Sequence, residues 1–334
     1  MHQRRIFPLE SKELTMSDAP IDHSRQDHVK FRRLVERAQR LPPAPTAIVH
    51  PCDKVAIESA VEASRLKLIV PILVGPEARI REAAAGFDIG EFEIVDAAHS
   101  NDSAAKAVAL VRAGRAEALM KGSLHTDELM AAVVARETGL RTARRISHCF
   151  IMDVPDHEDA LIITDAAVNI APTLEDKVHI VQNAIDLAHA LGVTDVRVAI
   201  LSAMETVNPK VLSTLEAAAL CKMADRGQIV GAVLDGPLAL DNAISPEAAA
   251  IKKIVSPVAG RANVLVVPDL EAGNMLAKSL SFLAGADAAG IVLGARVPII
   301  LTSRADALLT RLASCAIALL VAAARRESPT AAIQ

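Results

Sequence analysis

The sequence predicts an α/β fold, and three observations carry that prediction. Short runs rich in Val, Ile and Leu alternate with alanine-rich windows whose apolar residues recur at three- and four-residue spacings. The alternation begins near His28 and continues to the last helical window. The chain is 51% apolar but has only six Phe, no Tyr and no Trp, so its core must be built from aliphatic side chains and alanines. Strand–helix alternation of this kind produces βαβ units and a mainly parallel sheet. At 334 residues the chain has room for two domains, and for a core that needs neither disulfide nor metal.

Residues 1–27 mix basic, acidic and His residues without the apolar stretch of a secretory signal, and are expected to form a flexible tail. The first strand is read at 46–50 and is followed by an amphipathic helix at 54–65. Strands at 68–74 and 92–96 precede a helix at 103–115. A strand at 116–120 runs into a glycine turn, and a helix opens at Asp127 and Glu128. The polar stretch 136–147 is the candidate break in the chain. Strands at 148–153 and 160–164 flank the irregular segment 154–159, and a helix follows at 174–191. Beyond it come a strand at 197–201, a helix at 211–224, strands at 231–235 and 263–267, a helix at 270–283, strands at 288–293 and 297–302, and a last helix at 307–324. Eleven candidate strands are more than one ordinary sheet holds. The apolar run within the last helix is about 13 residues long and is bracketed by Arg311 and Arg325–Arg326, too short to span a bilayer.

Composition excludes several function classes. Near-absence of aromatic rings argues against a stacking platform for single-stranded nucleic acid and against an aromatic cage. A net charge of −4, from 36 basic and 40 acidic residues, leaves no footprint for duplex nucleic acid or an anionic membrane. Cys52, Cys149, Cys221 and Cys315 form neither a CxxC pair nor a zinc spacing, so they read as buried, reduced thiols of a cytoplasmic protein.

Polar and glycine residues cluster where strands end and helices begin, which is where open α/β sheets place ligands. Lys121, Gly122, Ser123, His125 and Thr126 form one such turn, with backbone N–H groups and a lysine suited to an anion. The same residues also fit a plain turn with Thr126 as helix N-cap. Arg141, Arg144 and Arg145 form a basic group that suits either solvent or a nucleotide phosphate. Asp235–Gly236–Pro237 ends a strand as a turn pair, and Asp241 follows as a helix cap; the two acids also suit a ligand hydroxyl or a general base. Asp269, Gly273 and Asn274 follow the strand at 263–267, and Gly273 inside a helix signals a close backbone or ligand approach. Ser303 and Arg304, with Asp306 as N-cap, place a hydroxyl and a fixed guanidinium at a helix start, as an oxyanion or phosphate site requires.

Taken in order, these motifs resemble the phosphate acyltransferase family, the phosphotransacetylases and phosphotransbutyrylases. The likeness runs from about Ala116 to Ala323. It rests on Lys121–Gly122, His125–Thr126, Asp235–Gly236–Pro237–Leu238, Asp241, the stretch from Pro257 to Asn263, Pro268–Asp269–Leu270, Ala272–Gly273–Asn274, Lys278 and Ser303–Arg304. The resemblance implies interconversion of short-chain acyl-CoA and phosphate with acyl phosphate and CoA, without metal or redox cofactor. It implies a two-domain α/β/α architecture resembling isocitrate and isopropylmalate dehydrogenases, with the active site in the interdomain cleft. One domain would hold residues 28–147 and 297–326, the other 148–296, and the protein would be a homodimer. Arg304 would bind the phosphoryl group, and Ser303 would donate to the oxyanion or orient the thiol. Lys121, Gly122, Ser123, His125, Thr126, Arg145, Asp241, Asp269, Gly273, Asn274 and Lys278 would contact substrate. The acetyl-specific branch has an Asp seven positions after the Ser, where this chain has Thr310, so Asp306 and Asp235 are the candidate bases, with Asp241 beside them. Lys121 and Ala305 look more like the butyryl branch.

Two other readings are kept. A dehydrogenase of the isocitrate type fits the fold, but no G-x-G-x-x-G opens a βα turn and no metal-binding Asp cluster of that kind is present in the sequence. A catalytically silent, acetyl-CoA-sensing protein resembling phosphotransacetylase would keep the fold without turnover.

Overall fold

Each strand expected from the sequence is present, and all eleven join a single sheet instead of dividing between two. The computed structural model describes residues 28–155, 157–302 and 306–327. Its strands are β1 (Ala44–Val49), β2 (Ile69–Gly75), β3 (Glu93–Asp96), β4 (Ala118–Lys121), β5 (Ser147–Asp153), β6 (Leu161–Thr164), β7 (Arg197–Leu201), β8 (Val233–Leu238), β9 (Val264–Val266), β10 (Asp287–Leu293) and β11 (Ile299–Ile300). Their order across the sheet is β3-β2-β1-β4-β11-β10-β5-β6-β9-β7-β8. The pairings β11–β10, β10–β5 and β5–β6 are antiparallel and the rest are parallel. Two parallel halves therefore run in opposite directions and meet through three antiparallel contacts at the centre.

The helices are α1 (Val29–Ala38), α2 (Lys54–Arg65), α3 (Glu77–Ala83), α4 (Ser100–Arg112), α5 (Thr126–Val134), α6 (Leu174–Ala190), α7 (Leu212–Asp225), α8 (Leu240–Ile244), α9 (Pro246–Ile251), α10 (Leu270–Leu283) and α11 (Leu308–Glu327). Strand alternation sends successive side chains to opposite faces and so assigns each helix its layer. On one face Ile48, Met120, Ile151, Val198 and Ile300 pack with residues of α1, α2, α6, α7 and α11 in one continuous core. On the other face the core is split. Val49, Leu119 and Ile299 pack under α4 and α5, while Met152, Ile163 and Leu265 pack under α8 and α10.

Helix α11 is, among the described residues, the one helix apolar and long enough to cross a membrane, yet 78% of its apolar window is buried. It packs against α1, α2, α6 and β10. Its length is that of a central core helix.

Several boundaries move for local reasons. Helix α4 begins at Ser100, ahead of the expected 103, because His99 Nδ1 accepts Asp102 N–H at 3.3 Å and caps it. Asp235–Gly236–Pro237 is not a turn pair: β8 continues through it to Leu238, with a register shift opposite Ala199 and Leu201. Proline is tolerated there because β8 is the last strand of the sheet and the shift removes the need for its N–H. Nor is Asp241 a cap, since α8 is capped at Ala239 and Asp241 sits in its first turn. Asp306 is displaced likewise: α11 starts at Leu308, and the first helical bond runs from Arg311 N to Ala307 O at 3.2 Å.

Candidate active site

Three strand ends converge in the sheet's first half. Strands β1, β4 and β11 are parallel neighbours, so their C-terminal ends share one edge, which presents His50, Lys121 and Thr302. Gly122 N donates to Val49 O at 2.9 Å and Ser123 N to His50 O at 2.9 Å, which folds the turn after β4 onto the end of β1. Ser123 Oγ adds a bond to His50 O at 2.7 Å and accepts from Cys52 N at 3.1 Å. A Cβ on Gly122 would lie 2.5 Å from Val49 O, so only glycine allows this approach. Lys121 Nζ donates to Gly122 O at 3.2 Å and Leu124 O at 3.1 Å, holding the cation over its own turn.

Thr126 is not the N-cap of α5; His125 is, with Glu128 Oε2 accepting from His125 N at 2.9 Å. His125 is exposed and lines a cavity of about 310 Å³ that also meets His50, Cys52, Arg79, Ser123 and Glu128, while Thr126 is exposed and does not line it. His50 Nδ1 lies 3.0 Å from Ser103 Oγ, and burial, then Arg79, hold its imidazole below the usual range. Burial raises the Cys52 thiol above its ordinary value, which keeps it a thiol and a poor nucleophile at neutral pH.

Ser303 and Arg304 lie outside the described residues. On the near side of them Thr302 lines a small cavity with Lys121, Gly122, Asp53, Ser59 and Arg311. On the far side the Asp306 carbonyl accepts Arg311 Nη1 at 3.2 Å. Arg311 is only 6% exposed, pairs with Glu58 at 2.8 Å, and leaves its Nε buried without a partner among the described residues. In the sequence Arg311 shows only as a flank of the last helix's apolar run; a guanidinium within an apolar helix is its one signal, because buried arginines need a partner or a ligand.

Across the sheet's centre a second cluster forms. Residues 165–169 connect β6 to α6 across the seam between the two split cores: Ala166 packs in one and Val168 against the other. The Asp165 carboxylate accepts N–H bonds from Ala167 and Val168 at 3.0 Å and from Asn169 at 3.3 Å, plus Asn169 Nδ2 at 2.5 Å. Arg145 Nε donates to Asn169 Oδ1 at 2.9 Å and its Nη1 lies 3.2 Å from Asp176. Asp269 caps α10, accepting Ala272 N at 2.8 Å. A Cβ on Gly273 would lie 3.0 Å from Ala166 Cα, so the expected close approach is to backbone. Asn274 Nδ2 reaches Ala166 O at 3.4 Å, and Lys278 is exposed one turn further along α10.

Beneath this seam His148 is 2% exposed, its Nδ1 has no partner among the described residues, and burial pulls its pKa down to about 4, against the smaller opposing pull of Asp165. Its ring packs edge-on to Phe150 at 4.4 Å. A Cβ on Gly290 would come within 2.9 Å of its Nε2.

Asp235 and Asp241 are not brought to this region. They belong to β8 and α8 at the far edge, and six strands separate β8 from β4. Asp235 Oδ1 accepts Gly236 N at 2.8 Å, while Lys252 Nζ pairs with Glu205 at 2.7 Å and sits 3.8 Å from Asp241. Cys149 and Cys315 are buried as expected, whereas Cys52 and Cys221 are only partly buried; burial pushes the Cys149, Cys221 and Cys315 thiols up to about 12.

The profile of the phosphate acetyl/butaryl transferase family matches residues 91–319. The chain belongs to that family. It is 65% identical over 91% of its length to 97% of a phosphate acetyltransferase of Rhizobium meliloti. It is 41% identical over 88% of its length to 98% of a phosphate butyryltransferase of Clostridium beijerinckii. Among solved structures, a branched-chain phosphotransacylase from Enterococcus faecalis V583 aligns with a TM-score of 0.73 at 30% identity, covering 83% of this chain and 99% of that one. A 4-hydroxythreonine-4-phosphate dehydrogenase from Klebsiella pneumoniae shares the fold alone, with a TM-score of 0.53 at 13% identity over 84% of this chain and 99% of that one. The dehydrogenase-like architecture is thus present in a transferase family, and the enzyme is an acyltransferase. No observation favours the silent, acetyl-CoA-sensing alternative.

Proposed function

We propose that the enzyme interconverts short-chain acyl-CoA and phosphate with acyl phosphate and CoA, taking acetyl or butyryl groups. The observation that carries this reading is the convergence of the Lys121–Gly122–Ser123 turn with Thr302, the residue before Ser303–Arg304, at one edge of the sheet. A phosphate oxygen attacks the thioester carbonyl, the tetrahedral oxyanion collapses, and CoA leaves as its thiolate; in the reverse path a base takes the CoA thiol proton and the thiolate attacks the acyl phosphate carbonyl, expelling phosphate. Arg304 and Lys121 hold the phosphate charge, and Ser303 donates to the oxyanion where transition-state charge develops. CoA and phosphate are substrates, and no cofactor is part of this scheme.

Of the candidate bases, Asp306 is favoured over Asp235, because its carbonyl shares Arg311 with the Lys121 cavity while Asp235 lies six strands away. The two domains, 28–147 with 297–326 and 148–296, meet along the seam of the split core. The seam is the interdomain cleft, and Arg145, Asp269, Gly273, Asn274 and Lys278 form its second wall. A homodimer is supported by exposed apolar side chains on α10, with Phe282 85% and Leu283 86% exposed, and a cytoplasmic location by four free cysteines. Neither nucleic acid nor a membrane enters this reading.

The test is steady-state kinetics across a C2–C6 acyl-CoA series with Arg304→Ala beside it. Loss of Arg304 is expected to lower turnover by about two orders of magnitude or more, as removal of a charged transition-state contact does. A near-normal rate removes Arg304 from the mechanism.

A further inference from the structure

A separate cavity of about 340 Å³ lies on the continuous face of the sheet, between α6, the C-terminal half of α11 and the turn after β10. Its size is that of a small-molecule pocket. Leu187, Ala190, Leu293 and Val321 give it aliphatic walls, and Arg144 and Arg325 both line it. It shares no lining residue with the cavities around Lys121 and His125.

The two arginines are unequally compensated. Arg325 Nη1 donates to Ala295 O at 3.2 Å and Arg296 O at 2.8 Å, both neutral acceptors. Among the described residues no carboxylate lies within 4.0 Å of its guanidinium. Arg144 Nη1 lies 3.4 Å from Asp186 Oδ2, at the outer limit of a hydrogen bond, and Asp186 also accepts Gln182 Nε2 at 3.0 Å. Glu327, at the mouth, pairs with neither arginine. Burial and the charge of Arg144 both depress the Arg325 guanidinium, with Asp186 only partly offsetting them. A partly buried guanidinium that faces a cavity and meets only neutral carbonyls leaves room for an anion to complete it.

From this geometry we infer that the groove binds a small organic anion, its carboxylate or phosphate head between Arg144 and Arg325 and a short aliphatic body against Leu187, Leu293 and Val321. The site is distinct from the one that handles acyl-CoA, and the inference does not depend on the proposed reaction. In the sequence Arg141, Arg144 and Arg145 form one basic group. The structure separates them: Arg145 turns to Asn169 and Asp176 at the seam, and Arg144 turns into this groove.

The experiment titrates hexanoate and hexyl phosphate, in separate arms, into the full-length enzyme saturated with CoA and inorganic phosphate so that the acyl-transfer site is occupied. Calorimetry is expected to find one site per chain for at least one probe, and the arm that binds identifies the head group. Arg325→Gln is expected to weaken binding by about tenfold or more, the worth of one charge-assisted contact, while Arg325→Lys stays within about threefold. Arg144→Gln, which disturbs no backbone contact, is expected to weaken it similarly, and circular dichroism confirms that each variant is folded. Absence of binding by both probes up to about 10 mM, or affinity unchanged in both glutamine variants, overturns the assignment.

Discussion

Lowering the pH from 7.5 to 4 isolates one buried side chain. His148 is buried under the seam, and its imidazole is held neutral down to about pH 4 by that burial. In the unfolded chain the same imidazole takes a proton near pH 6.5. Between those values the unfolded state binds more protons than the folded one, so stability rises with pH and is lost as pH falls. Integrating the two titrations gives a loss of about 2 kcal/mol at pH 5 and about 3 kcal/mol at pH 4, relative to pH 7.5. His148→Phe replaces the ring with one that does not titrate, of similar shape and beside Phe150. Urea unfolding at each pH, followed by far-ultraviolet circular dichroism because the chain has no Trp or Tyr, measures both proteins. Titrations of carboxylates that do not interact with His148 are common to the two and cancel in the difference. The variant is expected to lose about 2 kcal/mol less than the wild type by pH 5. Parallel pH profiles would refute the reasoning, whatever the variant's stability at pH 7.5.

Gly122→Ala places a Cβ 2.5 Å from Val49 O and 2.7 Å from His50 O, backbone atoms that cannot give way, and is expected to displace the Lys121 turn and lower turnover at least about tenfold. Gly273→Ala meets Val267 Cγ2 at 2.8 Å and Ala166 Cα at 3.0 Å; thermal unfolding is expected to show a net destabilisation, because overpacking costs about 1–3 kcal/mol and the helix-propensity gain is about 1 kcal/mol. Arg311→Leu removes the Glu58 ion pair and the bond to Asp306 O, and is expected to cost about 2 kcal/mol in urea unfolding and to raise the KM for phosphate. Lys121→Ala is expected to raise the KM for phosphate about tenfold, read from initial rates at fixed acyl-CoA.

The strands were legible because each is a short aliphatic run between polar breaks, and β7 appears where its residues placed it. Their union in one sheet was not legible, since it depends on β10 pairing antiparallel with β5, whose residues lie far away in sequence, and no local pattern encodes strand direction. Helix α1 was missed because its sequence, VKFRRLVERA, is dominated by charge, although Phe31 at its start is fully buried. The Lys121–Gly122–Ser123 turn was legible because the glycine and lysine directly follow a strand. Asp165 and Asn169 were not: an Asp whose carboxylate gathers backbone N–H groups looks in sequence like any polar loop residue. Asp235 and Asp241 looked chemical because two acids flank a turn-like Gly–Pro, and only the sheet order places them at the opposite edge from Lys121.

The central claim is acyl transfer between CoA and phosphate. Its most direct test is the phosphate-dependent release of free CoA thiol from acetyl-CoA and butyryl-CoA by the purified enzyme. Release that requires phosphate and falls away in Arg304→Ala is the predicted result. No phosphate-dependent release with any acyl group from C2 to C6 would contradict it.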